Sequence, residues 1–170
     1  MATKKKLLQA AAGSAGGAGL NVEDVFSTYL YTGNDTSQTI TNGIDLDGEG
    51  GMTWLKTRDD THSHYLFDTE RGAGYYLNSD TAGAQAYHAT AWVTGFNSDG
   101  FDIGYSVAIN DDANDHASWT FRKAPKFFDV VTYTGNGTAG RAISHNLGSV
   151  PGMIIIKLSL IHISEPTRPY

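Results

Sequence analysis

Cysteine is absent from the 170 residues of the chain. That excludes disulfides, thiolate catalysis and cysteine-ligated zinc. Proline is scarce, at four residues, and charged residues make up only 18%. The formal net charge is -6, so there is no basic footprint for nucleic acid or anionic lipid. No apolar run approaches the roughly 18 residues of a membrane helix, and membrane insertion by a helix is not expected. No P-loop, dinucleotide fingerprint or Ser-His-Asp order is present. What the chain has in quantity is glycine, at 20 residues, together with Thr, Asn, Asp and aromatic residues. That composition points to a turn-rich, all-β fold.

Residues 26–34, Phe-Ser-Thr-Tyr-Leu-Tyr-Thr-Gly-Asn, are echoed by residues 128–136, Phe-Asp-Val-Val-Thr-Tyr-Thr-Gly-Asn. Phe26, Tyr31, Thr32, Gly33 and Asn34 recur as Phe128, Tyr133, Thr134, Gly135 and Asn136, at an offset of 102. Leu46, Gly51, Met52 and Lys56 recur as Leu147, Gly152, Met153 and Lys157, at an offset of 101. One deletion reconciles the two offsets and suggests tandem units of about 100 residues. The expected organisation is a flexible leader over 1–19, a first repeat over 20–124 and the truncated start of a second over 125–157, joined at Ala124-Pro125-Lys126. Phe127, Phe128, Val130, Val131, Ile154, Ile155 and Ile156 mark strands of that second copy. They lack most of a partner sheet, so exposed apolar faces are expected there.

Within the first repeat, short β-rich runs alternate with turn signals. Candidate strands are Val25–Thr32, Gln38–Thr41, Met52–Thr57, Tyr65–Asp68, Tyr75–Leu77, Ala91–Thr94, part of Phe101–Val107, and Ala117–Arg122. Phe96 to Phe101 contains Asp99-Gly100 and reads as a hairpin. In the last run Ala117, Trp119 and Phe121 alternate with Ser118, Thr120 and Arg122, the period of a half-buried strand. The architecture expected is an antiparallel β-sandwich, jelly-roll or concanavalin-like, followed by an incomplete second copy. Trp54, Trp92 and Trp119 are read as core filler.

Candidate chemistry is sparse, and no catalytic residue is assigned. Asp68 and Glu70 stand at i and i+2, which on a strand puts both carboxylates on one side, the arrangement a glycan-degrading enzyme needs. Arg71 follows directly and is positioned to neutralise one of them. Oxygen-rich loops lie at Asp45-Leu46-Asp47-Gly48-Glu49 and Asn110-Asp111-Asp112-Ala113-Asn114-Asp115. No cofactor is required, and calcium is the one ion such loops would suit, with Asp111, Asp112 and Asp115 as its ligands. His62 and His64 lack a third metal ligand at a recognisable spacing. Tyr75, Tyr76 and Tyr87, with Asn97 and Asp99, are candidates for stacking on and hydrogen bonding to a sugar.

The opening Lys4-Lys5-Lys6-Leu7-Leu8-Gln9-Ala10-Ala11-Ala12-Gly13 resembles that of virion-associated proteins of marine tailed phages. Phe67-Asp68-Thr69-Glu70-Arg71-Gly72, the Phe96–Phe101 hairpin, Trp119 to Val131, Tyr133 to Thr138, His145-Asn146-Leu147-Gly148 and Val150-Pro151-Gly152-Met153 resemble an uncharacterised repeat domain of the same proteins. The resemblance covers nearly all of Leu20 to Lys157. It implies a concanavalin-like sandwich in a tail or fibre protein and location in the virion. The partners it implies are other virion proteins and host-surface polysaccharide. It carries no catalytic residues, and a spacer without a ligand stays open. Homo-oligomerisation also stays open, since no heptad or trimerisation signature is seen. Leu158 to Arg168 resemble a translated sequencing adapter, which marks 158–170 as foreign to the fold.

Overall fold

The computed structural model describes residues 19–158. The expected leader, apart from Gly19, and the adapter-like tail, apart from Leu158, lie outside the described residues. A single 3-10 turn, Val22–Asp24, is capped by the side chain of Asn21, and all other regular structure among the described residues is β. The strands are β1 (Phe26–Thr32), β2 (Gln38–Thr41), β3 (Gly51–Thr57), β4 (Tyr65–Asp68), β5 (Tyr75–Asn78), β6 (Ala86–Tyr87), β7 (Val93–Asn97), β8 (Gly100–Ile103) and β9 (Asp115–Arg122). They form two antiparallel sheets, a six-stranded one in the order β1-β9-β3-β4-β5-β6 and a three-stranded one in the order β2-β8-β7. The chain is an all-β sandwich, as its composition predicts.

The core lies between the sheets. Leu55, Tyr65 and Phe67 from the large sheet meet Ile40, Val93, Phe101 and Ile103 from the small one. Ile44, Leu46, Ala108 and Ile109 close its ends from the loops. On β3 the buried residues are Gly51, Thr53, Leu55 and Thr57, which alternate with the half-buried Met52, Trp54 and Lys56. Register carries this alternation to β9, where Thr57, Leu55 and Thr53 stand opposite His116, Ser118 and Thr120.

The period of β9 was therefore legible, but its inner face is the polar one. His116, Ser118 and Thr120 are buried, while Trp119 and Phe121 point out of the sandwich. The hydroxyls find partners in place: Thr53 with Thr120 at 3.3 Å, Asn42 Nδ2 to Thr120 at 2.8 Å, and Ser118 to the Tyr29 carbonyl at 3.4 Å. Satisfied hydroxyls cost little to bury. Trp54 and Trp119, expected in the core, instead meet edge-on at 6.3 Å on the outer face. Indole Nε1 of Trp54 donates to His64 there at 3.0 Å, a bond that two apolar sheet faces could not offer it.

Beyond β9 the chain turns back at Ala124, which forms an isolated bridge with Phe128. The strands expected in 127–157 are not formed: no regular element lies between 129 and 158. Met153, Ile154, Ile155 and Ile156 are exposed. A strand is stable only against a partner that completes its hydrogen bonds, and among the described residues this segment has none.

Candidate functional site

Two of the tyrosines singled out in the sequence come together because β5 and β6 pair. Tyr75 stands opposite Tyr87 in that register, and their rings lie 4.6 Å apart. Gly74 enters β5 with φ 83°, and its amide donates to the Val93 carbonyl at 2.8 Å while its carbonyl accepts from His88 N at 3.0 Å. A Cβ at residue 74 would come within 2.6 Å of the His88 carbonyl and 2.7 Å of the Tyr87 ring. Only glycine lets these three segments approach so closely.

The next residue, Tyr76, alternates to the other side of the sheet and stacks on Trp92 at 4.6 Å, with the ring planes 17° apart. His88 lies over the same pair, nearly parallel to both rings, at 6.4 Å from Tyr76 and 6.1 Å from Trp92. Tyr65 supports Trp92 from the core at 4.5 Å. The result is an aromatic cluster at the β6 edge of the large sheet, with Tyr65 buried at its base and His88 and Tyr87 facing solvent. Burial raises the phenols of Tyr65 and Tyr76 above their ordinary values, so both keep their protons.

Trp92 is held in an unusual state. Its φ is +69°, in the left-handed region that a bulky side chain rarely enters. Its carbonyl accepts from Gly104 N at 2.8 Å, which pins the strained residue. Strain of this kind costs on the order of 1–3 kcal/mol and gathers at functional sites.

The other sequence candidates lie elsewhere. Asn97 ends β7, four residues beyond Val93 and the aromatic cluster, and Asp99 lies in the turn that follows. Their backbone carbonyls tie down the 42–47 loop, accepting from Leu46 and Asp47 and from Asn42 and Gly43. Among the described residues no three His, Asp or Glu side chains gather as a metal-binding group. Asp111 accepts from Asn114 at 2.7 Å, Asp112 is exposed, and Asp115 accepts from Thr32 and faces Arg58. Asp45 accepts from Gly48 N, and Glu49 faces Arg122 at 3.4 Å. His62 faces Asp60 at 3.6 Å, while His64 is engaged by Trp54.

Asp68 is buried and ion-paired with Arg71, whose amide also donates to it at 3.0 Å. Burial pushes this carboxyl up, against the pull of the guanidinium. Glu70 lies in the following turn and bonds Lys123 at 2.5 Å. Each of the two carboxylates thus holds a cation of its own. A shallow depression lined by Ser37, Gln38, Thr39, Thr94, Asp102 and Ile103 marks the small sheet, without an aromatic residue.

Sequence reasoning missed His88 and Trp92 as members of the cluster. It read the first as isolated and the second as core, and Trp92 does pack on the core, partly buried, as well as joining the cluster. Tyr87-His88 within a few residues of Trp92 was the available signal, but the backbone of Trp92 leaves no trace in the sequence. The model of the DUF7483 family, a domain of unknown function, matches residues 21–165 and so spans both the sandwich and the segment after it. No curated protein and no solved structure matches the chain.

Proposed function

The chain belongs to the DUF7483 family, and from that premise we propose that it is a binding module of a phage virion, in a tail fibre or tail-associated protein, that recognises host-surface glycans through its aromatic edge. The observation that carries the reading is Trp92, held at positive φ with Tyr76 stacked on it and Tyr65 tilted against it. A fold that packs a strained, partly buried tryptophan against its core fixes the neighbouring rings at this edge, and the exposed His88 and Tyr87 are the rings left to meet the apolar face of a sugar. Tyr75 and Tyr87 form a second ring pair, on the opposite, outer face of the same edge. The ring systems are uncharged and the chain as a whole is acidic, at net charge -6, which suits a neutral polysaccharide more than an acidic one. Tandem copies would multiply weak sites into avidity.

The test is a glycan array probed with the full chain, with and without calcium. Tyr87 is 52% exposed, so Tyr87→Ala leaves the core intact. Loss of one stacking ring should weaken binding about tenfold. An array that stays silent under both conditions overturns the proposal, as does undiminished binding by Tyr87→Ala. The alternative of a glycan-degrading enzyme draws no support from Asp68 and Glu70, since each is committed to a cation. A silent array would leave the inert spacer.

A further inference from the structure

We propose that residues 128–136 are a docking segment for a second copy of this chain, and that they take the place β1 holds against β9. The five residues that recur between the two stretches are the ones that make β1 fit its slot. Phe26 packs on Phe121 at 4.9 Å. Tyr31 stacks on His116 at 5.1 Å, and its hydroxyl donates to the Ile109 carbonyl at 2.7 Å. Thr32 donates to Asp115 at 3.3 Å. Gly33 passes so close to the Asp111 carbonyl that no Cβ fits between them, and its amide donates to the Asn114 carbonyl at 2.9 Å. The Asn34 amide donates to the Asn110 side chain at 3.2 Å.

Phe128, Tyr133, Thr134, Gly135 and Asn136 reproduce this set in the same order and spacing. Where they stand now only Phe128 uses its part, packing on Phe121 of its own chain at 5.3 Å, and the other four use little. Tyr133 is 51% exposed, and Gly135 has no atom within 4 Å of where its Cβ would be. Residues 131–140 are exposed throughout. The local part of the pattern is already in place: Asn136 accepts from Thr138 N at 3.1 Å as Asn34 accepts from Thr36 N at 2.9 Å. A glycine with no neighbour and a half-exposed tyrosine covered only by Arg141 are what a segment shaped for another surface would carry.

The acceptor slot can be vacated. β1 is an edge strand, hydrogen-bonded only to β9, and none of its residues is fully buried. Strands of that kind open at the low end of a protein's range of local stabilities.

The register says whose β9 is used. The turn after β9 pairs Ala124 with Phe128. Continued along the same chain, it would set Val131 opposite Phe121 and Tyr133 opposite Trp119. β1 instead sets Phe26 opposite Phe121 and Tyr31 opposite His116. The two registers differ by three residues, an odd number that turns every side chain to the wrong face. While its own turn stands, the segment fits β9 of another copy and not its own. Reciprocal exchange gives a two-fold dimer, and one-way exchange gives a head-to-tail chain.

Cysteine-free sequence makes the test clean. Thr32 and Asp115 are register partners, so Thr134 of one copy should lie beside Asp115 of the other. Full-length Thr134→Cys and Asp115→Cys chains of distinguishable size are mixed at several concentrations, allowed to exchange and oxidised gently. The expected result is a disulfide-linked heterodimer in about tenfold excess over either homodimer. Tyr133→Cys in place of Thr134→Cys, one residue out of register, should lose that excess. Gly135→Ala, added to the Thr134→Cys chain, has room in the single copy but not in the β1 slot. It should return the yield to background and abolish any concentration-dependent dimer in sedimentation. Heterodimer no more abundant than homodimer overturns the proposal, as does a yield indifferent to Gly135→Ala. So does a Thr134→Cys/Asp115→Cys double variant that closes within a single chain at high dilution.

Discussion

β1 and residues 128–134 share Phe, Tyr and Thr at matching places, yet one is a strand and the other is not. The difference lies outside both segments. β1 has β9 beside it, and beyond its end the 104–114 loop supplies acceptors for Tyr31 and a socket for Gly33 and Asn34. Tyr133 has only Arg141 over its ring, at 6.0 Å. Structure that depends on near neighbours is the same in both stretches, as the Asn34 and Asn136 turns attest. Lys56 caps the carbonyls of Thr57 and Asp60, and its counterpart Lys157 caps those of Thr81 and Gly83. Structure that depends on a partner far along the chain appears only where that partner is. A strand-forming pattern specifies a slot, and the slot decides whether a strand exists.

The contrast can be broken most severely at Asn110. This buried side chain accepts from Asn34 N and Gln38 Nε2 and donates to the Thr36 and Gly104 carbonyls, which uses all the bonds its amide can make. Asn110→Leu should cost about 3–5 kcal/mol in chemical denaturation, because it orphans several buried groups at once. In hydrogen exchange it should release β1 while leaving 131–142 as exposed as before. Gly33→Ala should cost about 1–3 kcal/mol through overpacking against the Asp111 carbonyl, and Gly135→Ala nothing in the same denaturation assay. Tyr31→Phe should cost about 1–2 kcal/mol by stranding the Ile109 carbonyl, against no change for Tyr133→Phe.

The smallest effect is a pH dependence. His116 is buried beneath Tyr31, and the Asp111, Asp59 and Asp115 carboxylates face it from the loops and from β9. Burial nevertheless holds it below the ordinary imidazole value. The single proton of the Thr57 hydroxyl goes to the Ala108 carbonyl, so Nδ1 donates to Thr57 and Nε2 is left without a partner. A depressed folded value means that the unfolded chain takes up the proton first. Stability is therefore complete above about pH 6.5 and declines as the pH falls through the folded value, by at most about 1.4 kcal/mol per unit. His116→Gln should flatten that part of a pH-stability curve.

Much of the fold was readable, and the failures have definite causes. β2 and β4 match their expected bounds residue for residue, because each is a short β-rich run between strong turn signals. β6 went unseen since two residues, Ala86 and Tyr87, carry no period. β9 was recognised but turned inside out: alternation gives a period of two without saying which face is dry, and the hydroxyls of Thr53 and Thr120 settle that by bonding each other. At the candidate site Tyr75 and Tyr76 were legible as aromatic residues on a short strand, and Tyr87 as an aromatic residue outside any expected strand. That Asn97 and Asp99 sit away from them follows from the length of β7, which spacing alone does not reveal. Asn110 read as one more loop oxygen donor, because the amide's four bonds run to residues 6 to 76 positions away.

The inner polar row of Thr53, Thr57, His116, Ser118 and Thr120 has a thermal consequence. Exposing apolar surface on unfolding raises the heat capacity by about 0.45 cal/K/mol for each Å², while exposing polar surface lowers it by about 0.26. Five polar side chains stand where a sandwich of this size would ordinarily bury Val, Ile or Leu. Unfolding this domain should therefore absorb less heat capacity per residue than is usual, and its stability should vary with temperature along a broad, shallow arc. Such a domain keeps nearly the same margin in cold water as in warm.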